Sequence, residues 1–227
     1  MSSFSSFFRS FPAVGFSGCR LGAGGSSAAA VRLLASVPSG VPVLVGCASG
    51  VDWAVRGACP SAVVFFAGGR SASSLVARSV ACVSAVVAAR GVWCSFPSVA
   101  CPVGLVPSVR SSRCFCGSGS GSWASLCLAV GLGAGAVLVL PVGVVPPSWV
   151  LSCFVPFGSR CWVYDPLIIK YTPPEPKCLS FISKTPIDYK AREMRRHKAI
   201  KAKIRHTTSL IAGITYGRRF PNKFTPK

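Results

Sequence analysis

Three glycine-rich turns hold the residues best suited to grip an anion. The longest is Gly117-Ser118-Gly119-Ser120-Gly121-Ser122-Trp123, which leads into an apolar helix. Glycine lets backbone approach a ligand closely, and free N–H groups at a helix start favour negative charge. Ser118, Ser120 and Ser122 add hydroxyl donors. Taken alone, such a repeat also suits a flexible linker; its place directly before a helix and a strand favours a phosphate-cradling loop. The second turn is Gly46-Cys47-Ala48-Ser49-Gly50-Val51-Asp52, where a strand ends and a helix begins. Asp52 is either a carboxylate that complements the helix dipole or the acid that orients a ribose hydroxyl or a base. The third is Gly18-Cys19-Arg20, whose guanidinium is either a phosphate fork or a plain surface charge.

Hydrolytic chemistry is poorly supplied. Asp52 and Asp165 are the acids before residue 166, and the first histidine is His197. No pair for general acid and base catalysis is visible, so catalytic residues are expected to be none. Cys59, Cys101 and Cys114-Phe115-Cys116 lack paired CxxC spacing, so no metal is expected. The twelve cysteines lie mostly in apolar runs, as Cys47, Cys82, Cys94 and Cys127 do, and there a free thiol acts as a small hydrophobe. A reducing cytoplasm is the expected location.

The turns need a frame that presents them side by side. Apolar runs at 12–17, 41–47, 62–67, 92–96 and 136–140 read as strands. Segments 28–37, 53–58, 73–90 and 123–132 read as helices between them. Strand and helix alternating through Gly/Ser turns is the pattern of an α/β, Rossmann-like doubly wound parallel sheet, which binds ligands beyond the carboxyl ends of its strands. The domain is expected to span residues 11–150. It follows a disordered N-terminus, 1–10, and precedes a Pro-rich linker, 151–188.

In order, Gly18–Arg20, the GCASGVD turn Gly46–Asp52, the GSGSGSW loop and Val137–Pro141 (VLVLP) together resemble the DNA-processing-A (Smf) family. More broadly they resemble the SLOG superfamily of Rossmann-like nucleotide binders, which includes cytokinin-activating phosphoribohydrolases. The resemblance implies a nucleotide or single-stranded DNA held on the glycine turns through Gly18, Arg20, Gly46, Gly50, Asp52 and Gly117 to Ser122 (Gly117, Ser118, Gly119, Ser120, Gly121, Ser122). Two positions depart from it. Cys19 replaces the usual serine, and Ser125 stands where the phosphoribohydrolases carry a glutamate. Binding without catalysis is therefore the primary expectation, with a possible nucleotide cofactor and homo-oligomer. A nucleotide-processing hydrolase is the alternative.

The formal charge of +20, from 25 Lys and Arg against 5 acids, favours a polyanionic partner. The charge is unevenly placed. Up to Asp165 all basic residues are arginines and there is no isoleucine, whereas Lys and Ile are frequent beyond it. Such a contrast fits a fusion or a frameshifted, mispredicted reading frame near residue 165. A basic helix and tail occupies 189–227, where Arg195, Arg196, Lys198, Lys201, Lys203 and Arg205 are candidate nucleic-acid contacts. Finally, Leu126 to Val145 carries no charge and could alternatively span a membrane.

Overall fold

The computed structural model describes residues 4–20, 25–117 and 120–167. The chain divides into two units, Met1–Glu175 and Pro176–Lys227, and every described residue belongs to the first. The basic residues from Arg195 to Arg205, and the segment 168–188, lie outside the described residues.

The described chain forms α1 (Phe4–Phe8), β1 (Val14–Gly18), α2 (Ser26–Leu34), β2 (Val43–Gly46), α3 (Val51–Ala58), β3 (Val63–Phe65) and α4 (Ala72–Ala88). It continues through β4 (Val92–Phe96), α5 (Ser111–Cys114), α6 (Gly121–Gly131), β5 (Gly135–Val139), α7 (Ser148–Cys153), β6 (Val155–Pro156) and β7 (Cys161–Tyr164). The sheet order is β3-β2-β1-β4-β5-β7-β6. The pairings among the first five strands are parallel, as expected for a Rossmann-like α/β fold. The uninterrupted burial of β2 and β4 follows, because helices cover both faces of a parallel sheet.

Two cores lie on the two faces. One joins Ala30, Leu33, Val51 and Val55 of α2 and α3 to Val14, Phe16, Val43 and Val45 of the sheet. The other joins Cys82, Val83 and Val86 of α4 and most of α6 to Leu44, Trp93, Ala136 and Leu138. Alternation along a strand sends successive side chains to opposite faces, so one short strand feeds both cores.

Two expectations change, and one alternative falls. The N-terminus is not disordered from residue 4: α1 buries Phe8 completely, and Phe7 meets the Phe11 ring at 5.0 Å. The clustered phenylalanines outweigh the serines around them, since each ring removes a large apolar area from water. Nor does the domain end at 150. Residues 151–164, expected as linker, belong to the fold through α7 and the antiparallel β6–β7 pair, with β7 lying along β5. Phe154 stacks on Tyr164 at 5.4 Å and meets Trp149 edge-on, so aromatic packing continues the core past Pro146 and Pro147. Last, the uncharged stretch 126–145 is no membrane span. It divides into α6, the strand β5 and a loop, and no helix among the described residues is long and apolar enough to cross a membrane. Its lack of charge has another cause: α6 is enclosed by protein, with nine of its eleven residues buried.

Candidate functional site

The sheet order reverses between β1 and β4, because α2 and α3 lead outward to one edge and α4 carries the chain back past β1. Crevices open at such a switch point beyond the carboxyl ends of the strands. Here the crevice is a cleft of about 1110 Å³ bordered by the ends of β1 and β2, by Trp93 of β4 and the segment after that strand, by α4 and by the start of α6.

Its floor is set by strand register. Phe16 pairs with Val45 and Ser17 with Ser95. Gly46 therefore lies beside Ser17 at the end of β2. Leu44 and Trp93 point to the face covered by α4 and α6, and alternation directs Gly46 and Ser95 the same way. Where the core beneath is filled by Leu44 and Trp93, this terminal row is Gly46, Ser17 and Ser95. Asp52 Oδ2 and Arg78 lie over Gly46 and Ser95 is fully buried, so Ser17 and Gly46 are the members of this row that line the cleft. Ser95 Oγ donates to Ser122 O at 3.0 Å, fixing the first turn of α6 above the floor.

On one side stands the turn between β2 and α3. Gly50 begins α3 at φ 73°, a left-handed conformation that favours glycine. A Cβ here would strike the Cys19 carbonyl, which accepts from Val51 N at 3.2 Å. The side chain of Asp52 does not cap the helix. Its Oδ2 instead accepts from Ala48 N at 3.2 Å and lies 3.6 Å from Arg78 Nη1. Arg56 Nη1 donates to Gly46 O at 2.6 Å and to Ala48 O at 3.2 Å. Burial pushes the Asp52 carboxyl above the ordinary carboxylate value, against the opposing pull of Arg78, the Ala48 amide, Arg56 and Arg20. Burial also pushes the Cys47 thiol up, but the Ala67 amide and Arg78 outweigh it and hold the thiol below its ordinary value.

On the other side α6 begins. Ser120 is its N-cap, its hydroxyl accepting from Trp123 N at 3.5 Å. Trp123 is fully buried and donates through Nε1 to Val99 O at 2.9 Å, tying the 97–110 segment to the helix. The first N–H groups of a helix have no intrahelical acceptor, so this end offers donors to the cleft. Ser125 donates to Gly121 O at 2.8 Å.

Of the expected site residues, Gly18, Arg20, Gly46, Asp52, Gly117, Ser120, Gly121 and Ser122 line the cleft together. Gly50 does not; it shapes the start of α3. Ser118 and Gly119 lie outside the described residues. Sequence reasoning missed Ser17, Arg70 and Arg78, which also line the cleft. Arg78, a lone cation on an otherwise apolar and small-residue helix, was the available signal. Arg56 was missed too, although it stands four residues after Asp52. The lining thus carries Arg20, Arg70 and Arg78 against Asp52 alone, beside apolar walls that include Leu75, Val99, Leu105 and Phe115.

Among the described residues there is no histidine, and the carboxylates are Asp52 and Asp165. No group of three or more potential metal ligands occurs among them. Comparison of the chain with protein-family models, with curated proteins and with solved structures finds no match.

Proposed function

We propose that the cleft binds a phosphate-bearing ligand, a nucleotide or a single strand of DNA, and that the protein acts by binding rather than catalysis. The observation that carries this reading is the convergence of three arginines and the start of α6 on a cleft at the sheet's switch point. Arginine presents paired N–H donors that match phosphate oxygens. The apolar walls give a base something to lie against, which a site for inorganic anions alone would not need. The ordered turns that resemble the DNA-processing-A family are, on this reading, the phosphate cradle.

Filter binding of a labelled single strand, and calorimetry with adenosine monophosphate, test the proposal on the full chain. Affinity should fall as salt rises and should drop further in Arg20→Ala, since both remove charge attraction. Binding indifferent to salt and to Arg20→Ala would overturn it.

A hydrolytic reading has one observation in its favour, the buried Asp52 carboxyl with its raised proton affinity. Its Oδ2 already serves Ala48 and Arg78, and Ser125 offers no acid. Release of free adenine from the monophosphate, lost in Asp52→Asn, would favour this reading over binding alone.

A further inference from the structure

Of the four buried side-chain donors without a partner among the described residues, three belong to residues that line this cleft, and the fourth, Trp149 Nε1, does not. Ser17 Oγ, Arg78 Nε and Trp93 Nε1 are each buried and find no hydrogen-bond acceptor, and all three residues line it. A buried polar group left unpaired costs about 1–3 kcal/mol, so several around one cavity point to an occupant that supplies acceptors. Arg78 is the most telling. Its side chain is 10% exposed, its Nη1 faces Asp52, its Nη2 donates to Ser79 Oγ at 3.2 Å, and Nε alone is left over.

These donors are separate from the start of α6. Ser95 lies under the first turn of α6 through its bond to Ser122 O, whereas Ser17 is one strand nearer β2. Neighbouring strands are about 4.8 Å apart, so a ligand held at the helix start needs a second acceptor group, one short link away, to reach Ser17 and Arg78. Arg78 is too enclosed for a phosphodiester that continues on both sides. A terminal group needs an opening on one side only.

We infer that the cleft is built for a nucleoside diphosphate, one phosphoryl group at the start of α6 and the terminal one on Ser17 Oγ and Arg78 Nε. This rests on the proposed binding of a phosphate-bearing ligand and specifies its class.

Calorimetry on the full chain with adenosine monophosphate, adenosine diphosphate and an oligothymidylate strand tests it. The diphosphate should bind about tenfold more tightly than the monophosphate, the worth of one further charge-assisted hydrogen bond. Ser17→Ala and Arg78→Gln should each bring that ratio close to one. Ser17→Ala removes an unpaired hydroxyl, so its melting temperature without ligand should not fall, and a lost preference then cannot be ascribed to unfolding. Equal affinity for the two nucleotides, with both weakened by Arg20→Ala, would overturn the second subsite while leaving the phosphate reading intact. So would a strand that displaces the diphosphate and itself depends on Ser17. Failure of all three to bind would overturn both.

Discussion

The two turns that flank β1 differ in how fully they satisfy themselves. The β2–α3 turn is closed from within. Asp52 holds the Ala48 amide, Arg56 holds the Gly46 and Ala48 carbonyls, and Arg78 balances the carboxylate from α4. Among the described residues the α6 entry is capped by the Ser120 hydroxyl at 3.5 Å. It lies over Ser95, and the Ser17 hydroxyl on the neighbouring strand has no partner. A turn whose charges are mostly spent on its own backbone gives a ligand little beyond the unpartnered Nε of Arg78. A turn with donors to spare is weaker as structure and better as a binding site. The first acts as the template and the second as the grip, which is the usual division between preorganising and contacting groups.

Breaking the template should cost most. Gly50→Ala puts a Cβ against the Cys19 carbonyl at a left-handed position, and the strain and overpacking together should cost about 3 kcal/mol or more. Urea denaturation measures it, and a loss below about 1 kcal/mol would show that the turn yields easily. Arg56→Ala leaves two carbonyls without their charged donor and should cost about 2 kcal/mol by the same measurement. On the other side, Ser120→Ala should cost about 0.5–1 kcal/mol, the low end for a lost cap, because the bond is already long. A loss equal to that of Arg56→Ala would erase the contrast between the two turns.

Asp52 sharpens the contrast through pH. Its folded-state proton affinity is raised, so the folded chain binds more protons than the unfolded chain between the ordinary and the raised value. This group's contribution is therefore fully present below the ordinary carboxylate value and is lost as pH rises through the raised one. Asp52→Asn should flatten that part of the stability profile, seen by melting at a series of pH values. An unchanged slope would show that Arg78 compensates burial fully. The smallest effect is chemical and leaves the fold unaltered. Cys47, half-buried with a lowered thiol value, should be alkylated faster than Cys82, pushed up to about 12, or the wholly buried Cys94. Peptide mass spectrometry after brief iodoacetamide treatment gives the order.

Local pattern carried much of the fold. Continuous apolar runs bounded by Gly, Ser and Pro located the five parallel strands, and β4 at Val92–Phe96 coincides with its expected limits. Each such run is a local statement of burial on both faces. The same pattern placed α6, expected at 123–132, but left a membrane span open as an alternative, because an enclosed helix and a membrane helix are equally free of charge and only the neighbours distinguish them. It missed α1 and the β6–β7 pair for a related reason. Their stability comes from rings that meet across long separations, as Phe4 meets Phe157 at 4.4 Å.

The sequence by itself determined that glycine turns would stand at strand ends, because backbone geometry there admits little else. It also determined how few carboxylates and imidazoles the first 165 residues hold, since residue types alone settle that count. Only the tertiary structure decided which residues share the cleft. Arg78 is 26 residues from Asp52 and Ser17 is 78 from Ser95, yet an ion pair and a strand register bring each pair together. Spacing along a chain records local geometry. The partners of a buried charge are chosen by packing, and packing belongs to the whole fold.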